Sequence, residues 1–354
     1  VKTAFLFIGM PVGGAEDFAL GVYPHLAPEV EVRFVCLRSL DVLGEEARRS
    51  GLPVDLLPVF PTKRISPLGI WRLSRWLIRE GIELIHSQTY HAHIYGVLAA
   101  KLAGIPSIVH QQKTIGSLGV RKNFFLGLCF RQASAVLALS HKTSDEIRKG
   151  YNIYPDRLHV VPNAIDVEIF RPAADQVSLR TSLGLPVNVP LAGTVASLHP
   201  VKNHAAIIKA LALMPSEKRP HFVFIGDGAA GRELEQMATV SGVRVSFLGR
   251  QRPVLQWLQA LDFFVLASHW EGQPLALLQA LACGLPVLTS RIEGNMAVLG
   301  ETHPGLFDPS DFTTLASLLA NACCNPQHFL APNTVIPTCV EVAEKLKKIY
   351  TEVS

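Results

Sequence analysis

The sequence predicts an α/β protein made of two Rossmann-like, doubly wound domains, and three observations carry that expectation. Short runs nearly continuous in apolar or β-branched residues alternate with helical patterns, as strands of a parallel sheet covered on both faces should. The alternation breaks at a polar stretch near 171–189 and then restarts. A chain of 354 residues, 49% of them hydrophobic, is long enough for two ordinary cores.

In chain order, the first strand runs are "TAFLFIG", "EVRFVCL", "VDLLPV", "ELIHSQ", "SIVHQQ" and "AVLALS". Helical segments such as "SPLGIWRLSRWLIREG" and "HIYGVLAAKLAG" separate them. After "LHVVPNAIDVEIFRP" a second series follows: "VPLAGTVASL", "HFVFIGDG", "VRVSFLG", "DFFVLAS" and "PVLTS". The closing "PTCVEVAEKLKKIYTEV" is an amphipathic helix that can pack back on either domain. The expected boundaries are 1–165 for the N-terminal domain and 166–335 for the C-terminal domain. Residues 336–354 form a last helix able to return to the N-terminal domain.

Composition narrows the class. No apolar run approaches the roughly 20 residues that span a bilayer. The opening "VKTAFLFIGMPVGG" reaches glycine too soon, and without a small-residue cleavage site, to read as a signal peptide. A cytoplasmic protein is expected. Six cysteines without C-x-x-C spacing read as reduced and mostly buried, with no metal role. The net charge of +4 arises wholly in the first half: residues 1–170 hold 19 Lys/Arg and 15 Asp/Glu, and 171–354 hold 14 of each. Two segments concentrate it, 61–81 and the acid-free 113–132. In the first, Ile70, Leu73, Trp76 and Leu77 can share one helix face while Arg72, Arg75 and Arg79 take another. That pattern fits a core-packed helix with a solvated basic face, and it also fits contact with a membrane surface or an anionic acceptor. Nucleic acid is not an expected partner.

Ligands of open α/β sheets bind beyond the carboxyl ends of strands, so the loops there are where chemistry is sought. Gly13 and Gly14, in "GMPVGGAEDFAL", let backbone approach a ligand before a helix N-terminus, although Gly-Gly is also a common turn. That stretch lacks the G-x-G-x-x-G of dinucleotide sites. Gly226, Asp227 and Gly228 end another strand in the same way, with the same two readings. In "GTVASLHPVKNHAAIIKAL", Lys202 stands at a helix entrance, where a cation is unfavourable for the dipole and suits a bound anion; a solvated surface lysine is the alternative. Glu271 opens "HWEGQPLALLQALACGLPVL", with the backbone of Gly272, Gln273, Pro274 and Leu275 leading into a helix. Phosphate at those amides and a hydroxyl at that carboxylate would belong to one ligand, a sugar nucleotide.

Taken together, Gly13-Gly14, "VVPNAID", "SLHPVKNH", "FIGDG", "FLGR" and "EGQPLALLQALACGLPVLTS" resemble the family 4 retaining glycosyltransferases of the GT-B fold, collinearly over nearly the whole chain. The resemblance implies two Rossmann-like domains facing a central cleft, the N-terminal one holding the acceptor and the C-terminal one a nucleotide sugar, often UDP-linked. It implies no cofactor and no metal, in keeping with the absence of D-x-D from the sequence. By this resemblance Glu271 meets the donor sugar's hydroxyls and Gly272 to Leu275 contribute amides. Lys202 neutralises the departing diphosphate, Gly14 approaches it, and Arg250 borders the base. Beside the reacting sugar the family often has the second histidine of a His-x-His, for which His86, His91 or His93 could stand in, His86 being the catalytic candidate.

Three positions depart from the family pattern. Gln279 stands in place of the glutamate that binds both ribose hydroxyls. Ser197 stands in place of an arginine on the diphosphate, for which Arg250, Arg252 or His199 could compensate, and Gln88 in place of the second histidine of a His-x-His. A glutamine oxygen still accepts from one hydroxyl. Two readings follow: an active transferase that moves a hexose or N-acetylhexosamine onto a glycan, or a relative without turnover that serves as a binding subunit of a partner transferase. A nucleotide-sugar epimerase lacks the further carboxylates it would need, and a sugar receptor lacks a signal peptide. The basic, aromatic-rich segments in the acceptor domain point to a lipid-linked acceptor at the cytoplasmic face of a membrane, in surface polysaccharide or lipopolysaccharide synthesis.

Overall fold

The computed structural model describes residues 1–60, 65–111 and 119–354. Residues 61–64 and 113–118 of the two basic segments therefore lie outside the described residues. The chain divides into two domains, Val1–Ala164 with Pro337–Ser354, and Ile165–Ile336.

In the N-terminal domain β1 (Lys2–Phe7) leads to α1 (Gly14–Val22), β2 (Glu31–Cys36), α2 (Asp41–Arg49) and β3 (Val54–Leu56). Then α3 (Pro67–Arg79), β4 (Leu84–Ser87), α4 (Tyr90–Ala103), β5 (Ser107–Gln111), α5 (Val120–Gln132), β6 (Ala135–Ala138), α6 (His141–Tyr151) and β7 (Leu158–Val160) follow. Among the described residues the sheet order is β3-β2-β1-β4-β5-β6-β7, parallel throughout. The central strands are buried on both faces, which is why they read as unbroken apolar runs. β7 was not among the expected strands; it is a three-residue edge strand, only half-buried.

The C-terminal domain repeats the plan. It opens with α7 (Gln176–Ser182), β8 (Leu191–Val195), α8 (His204–Leu213), β9 (His221–Ile225), α9 (Gly231–Val240), β10 (Val245–Phe247) and α10 (Leu255–Gln259). It continues with β11 (Phe263–Leu266), α11 (Leu275–Ala282), β12 (Val287–Ser290), α12 (Glu293–Leu299), β13 (Leu306–Phe307) and α13 (Phe312–Cys324). Its parallel sheet runs β10-β9-β8-β11-β12-β13 among the described residues, the last being a two-residue edge strand that sequence patterning also missed. Each sheet has one place where neighbouring strands send their connections in opposite directions: between β1 and β4, and between β8 and β11. Such switch points leave a crevice outside the strand ends.

The terminal helix α14 (Cys339–Val353) belongs to the N-terminal domain. Thr338 and Glu341 cap it reciprocally, and Val342, Ala343, Leu346, Ile349 and Tyr350 enter the core with Phe5, Phe18 and Phe34. At the centre of that core the Tyr350 hydroxyl lies 2.5 Å from His86 Nδ1, and His86 Nε2 lies 3.2 Å from His110 Nδ1. His93 Nδ1 meets Ser87 Oγ at 2.9 Å. All three imidazoles are buried. Burial holds His86 well below the ordinary histidine range and lowers His93 and His110 to about 3.

These histidines bind protons more weakly when folded than when unfolded, where the ordinary value is 6.5. Their contribution is therefore complete above that value and is lost as pH falls from it toward 3. Hydrogen exchange at β4 and β5 should show the N-terminal domain losing stability between pH 7 and 5, on the order of 1 kcal/mol per pH step for each histidine. The loss should be shallower in His110→Gln.

Candidate active site

β8 and β11 lie side by side at the switch point of the C-terminal sheet, and each releases a loop at its carboxyl end. The β8 loop makes one 3-10 turn, Pro200–Lys202, and enters α8 through Asn203, whose φ of 54° is left-handed. Asn203 tolerates that conformation and uses its amide, Nδ2 donating to Ala267 O at 3.2 Å and Pro309 O at 2.8 Å. His269 N donates to Val201 O at 2.8 Å. These bonds tie the two loops together and bring Lys202 Nζ to 2.6 Å from Glu271 Oε1. The same oxygen accepts from Ser268 Oγ at 2.7 Å. Both charged side chains are largely withdrawn from water, with 22% and 10% exposure for Lys202 and Glu271.

Beneath the β11 loop lies the start of α12. A Cβ on Gly294 would come within 2.5 Å of Glu271 O and 2.6 Å of Gly272 O, so glycine is what lets the helix approach that turn. Asn295 Nδ2 donates to Ser290 O at 2.8 Å and to Ser290 Oγ at 3.2 Å, and Ser290 Oγ donates to Ser268 O at 2.6 Å. Asn203, Ser268, Ser290, Gly294 and Asn295 were not singled out from sequence. The serines appear there only as ends of apolar runs, and the bond between them spans 22 positions.

α11 starts at Leu275 with Pro274 as its N-cap. Among the four residues expected to offer amides, Pro274 must be withdrawn, because proline has no N–H. Gly272, Gln273 and Leu275 keep theirs. Gln279 lies on α11 one turn beyond Leu275, half-exposed.

The β9 loop has a different explanation. Gly226 through Gly231 spells G-x-G-x-x-G, a pattern the sequence reading did not single out, yet its glycines answer to packing within the domain. A Cβ at Gly226, whose φ is +150°, would overlap Ala196 O, and one at Gly228 would come within 2.5 Å of Leu198 O. Leu198 N donates to Asp227 O at 2.9 Å. The β9 loop thus buttresses the turn that carries Lys202. The exposed Asp227 carboxylate accepts from Gly228 N at 2.7 Å. Ser197, His199, Arg250 and Arg252 are all exposed at the rim of these loops.

In the N-terminal domain Gly13 and Gly14 follow β1, one of the strands at that sheet's switch point. Gly13 is extended, and a Cβ on Gly14 would touch nothing within 4 Å. Neither glycine is demanded by a positive φ. His86 is corrected: both its nitrogens are engaged, inside the core against His110 and Tyr350, and it offers no atom to a substrate. His93 is buried as well, and Gln88 is buried at the end of β4. Of the three histidines considered for the role, His91 alone reaches the surface, its ring against Phe60 and Tyr90. Among the described residues no three His, Cys, Asp or Glu side chains converge as a metal site.

Two family models match the chain: "Glycosyltransferase Family 4" over residues 12–169 and "Glycosyl transferases group 1" over 189–325. EpsF of Bacillus subtilis, named as a glycosyltransferase, is 30% identical over 305 residues, covering 82% of this chain and 79% of EpsF. The chain belongs to glycosyltransferase family 4. Another member, the Escherichia coli UDP-Gal:alpha-D-GlcNAc-diphosphoundecaprenol alpha-1,3-galactosyltransferase, is 29% identical over 345 residues, 90% of this chain and 87% of that one. The fold is GT-B: Anabaena Alr3699/HepE, solved with UDP and glucose, matches with a TM-score of 0.84 at 22% identity, covering 99% of each chain. Within this family-4 chain, the C-terminal switch point gathers Lys202, Glu271 and the amides of the β11 loop.

Gly294→Ala should lower stability by about 1–3 kcal/mol, since the new methyl meets two backbone carbonyls. Gly14→Ala should leave stability unchanged or slightly raised, because alanine is the better helix former. Thermal unfolding of the two variants beside the parent checks both.

Proposed function

We propose that this glycosyltransferase moves a hexose or N-acetylhexosamine from a UDP-linked donor to a lipid-linked glycan acceptor, with retention and without a metal. The setting is the cytoplasmic face of a membrane, in surface polysaccharide or lipopolysaccharide synthesis. The observation that carries the donor reading is the Lys202–Glu271 pair across the switch point. A cation and a carboxylate at 2.6 Å can separate onto the two ends of one ligand, Lys202 to a diphosphate and Glu271 to sugar hydroxyls. Support for UDP and a lipid-linked acceptor comes from the Escherichia coli relative, whose name states both.

In this reading the bond from the anomeric carbon to the phosphate oxygen breaks while the acceptor oxygen bonds that carbon from the same face, its proton passing to the departing diphosphate. Lys202 stabilises the developing charge, with the amides of Gly272, Gln273 and Leu275. The Gln279 side-chain oxygen accepts from one ribose hydroxyl. Gly14 approaches the diphosphate and Arg250 the base.

The membrane part rests on three neighbouring helices. α3 packs on α4 and α4 on α5, and none of the three contains an Asp or Glu. Arg72, Arg75, Arg79, Lys101, Lys122 and Arg131 are exposed on them. So are Trp71 at 54%, Leu102 at 61% and Phe124 at 65% exposure. Cations among exposed aromatic and aliphatic side chains suit an anionic bilayer surface. No helix among the described residues is long and apolar enough to cross a membrane.

Calorimetric titration in EDTA should show UDP binding, no comparable GDP binding, and tighter UDP binding by Gln279→Glu. Absence of UDP binding by both proteins would overturn the donor reading. Co-sedimentation should favour anionic over neutral vesicles, and replacing Arg72, Arg75 and Arg79 with Gln should weaken it by roughly 1 kcal/mol per arginine.

A further inference from the structure

Glu271 Oε1 has two partners, Lys202 Nζ at 2.6 Å and Ser268 Oγ at 2.7 Å. Among the described residues no protein group bonds Oε2. On the donor reading above, on which this inference rests, Lys202 must leave Glu271 when the diphosphate arrives. The carboxylate then loses its strongest partner at the moment it must point at the sugar.

We infer that Ser268 is a positioning residue that keeps the Glu271 carboxylate oriented once Lys202 turns to phosphate, and that Ser290 and Asn295 act through it. Ser268 lies two residues beyond β11 in the loop that carries Glu271, and its hydroxyl donates to Oε1, which leaves Oε2 as the oxygen for a sugar hydroxyl. Rigidity comes from below. Ser290 Oγ donates to Ser268 O at 2.6 Å, and Asn295 Nδ2 holds Ser290 at both its carbonyl, 2.8 Å, and its hydroxyl, 3.2 Å. Ser268, Ser290 and Asn295 are each at 0% exposure. Water therefore does not compete for these bonds, which hold Ser290 and Ser268 in one arrangement although the Asn295 side-chain oxygen has no protein partner among the described residues. Gly294, beside Asn295, lets α12 lie against the carbonyls of Glu271 and Gly272 and adds a second constraint on the same turn. The chain of bonds ends on the sugar-binding carboxylate and does not pass through Lys202 or the helix that faces the nucleotide. Its removal should therefore affect the sugar and spare the nucleotide.

That separation is the test. Dissociation constants for UDP, UDP-glucose, UDP-galactose and UDP-N-acetylglucosamine are measured calorimetrically on the full chain and on Ser268→Ala, Ser268→Thr, Ser290→Ala and Lys202→Ala. For whichever UDP-sugar the parent binds best, Ser268→Ala should raise its dissociation constant about tenfold relative to UDP, the loss of one hydrogen bond to a charged group. UDP itself should bind as before. Ser268→Thr, which keeps the hydroxyl, should restore the ratio, and Ser290→Ala should move it in the same direction as Ser268→Ala by less. Lys202→Ala should show the opposite pattern, weakening UDP and UDP-sugar alike. A ratio unchanged in both Ser268→Ala and Ser290→Ala, or an equal loss of UDP and UDP-sugar in them, would assign these serines a purely structural role and overturn the inference. A parent protein that binds none of the four ligands would instead overturn the donor reading, and the inference with it. Because the readout is a ratio within each variant, partial loss of folded protein does not imitate the expected result.

Discussion

A lysine and a glutamate 69 positions apart in sequence are held at 2.6 Å because β8 and β11 are neighbours whose connections diverge. The rest of the C-terminal domain can be understood as support for that one approach. Two charges withdrawn from water cost more in lost hydration than a surface pair, and their mutual attraction repays this only with good geometry and further hydrogen bonds. Ser268 supplies one such bond to the carboxylate, and Asn203 pins the turn next to the lysine. A pair of this kind is weak evidence for stability and stronger evidence for a ligand. It is a neutral couple that a ligand with an anionic end and a hydroxylated end can part without leaving either charge unmatched.

The frame around the pair is built from backbone meeting backbone. Gly226 and Gly228 sit against the carbonyls of Ala196 and Leu198, and Gly294 against those of Glu271 and Gly272. At each place a single methyl would collide with an atom that belongs to the opposite loop's main chain and has no freedom to move aside. The exposed residues at the rim, Ser197 and Arg250, face no such restriction. Positions that set the geometry are thus fixed by sterics, while the exposed rim positions are free of that constraint. Ser197 meets Gly226 only through its backbone nitrogen, and Gln279 is absent from these contacts, so neither side chain takes part in them.

How much of this was legible follows from where each interaction is written in the chain. The strands were legible because a parallel sheet buried on both faces writes itself as local apolar runs; the two missed strands, β7 and β13, are edge strands of three and two residues. Lys202 and Glu271 were legible because a charged residue at a strand-to-helix turn is locally odd. His86 was named from the family's His-x-His, and only the return of α14, 264 positions later, shows it occupied by Tyr350. The serine and asparagine ladder under Glu271 is silent in sequence, since its central bond, Ser290 to Ser268, joins the end of β12 to the loop after β11. An amide role for Pro274 is excluded by its residue type alone, without any structure.

The charges of the site bear on whether its departures mark a decayed enzyme. On the proposed donor reading, Ser197 in place of an arginine takes one positive charge from the diphosphate end, and Gln279 in place of a glutamate takes one negative charge from the ribose end. Loss of the arginine alone would leave the loops around the donor with a net negative charge facing a diphosphate, a repulsion of a few kcal/mol at contact distances near a protein surface, on the order of 4 kcal/mol at 4 Å. Loss of both leaves Lys202 and Glu271 as a balanced couple, the same net charge as the full family set. A glutamine side-chain oxygen can still accept a hydrogen bond, and Gly272, Gln273 and Leu275 keep their backbone N–H groups. If both positions border one donor, as proposed above, the two substitutions offset each other in net charge.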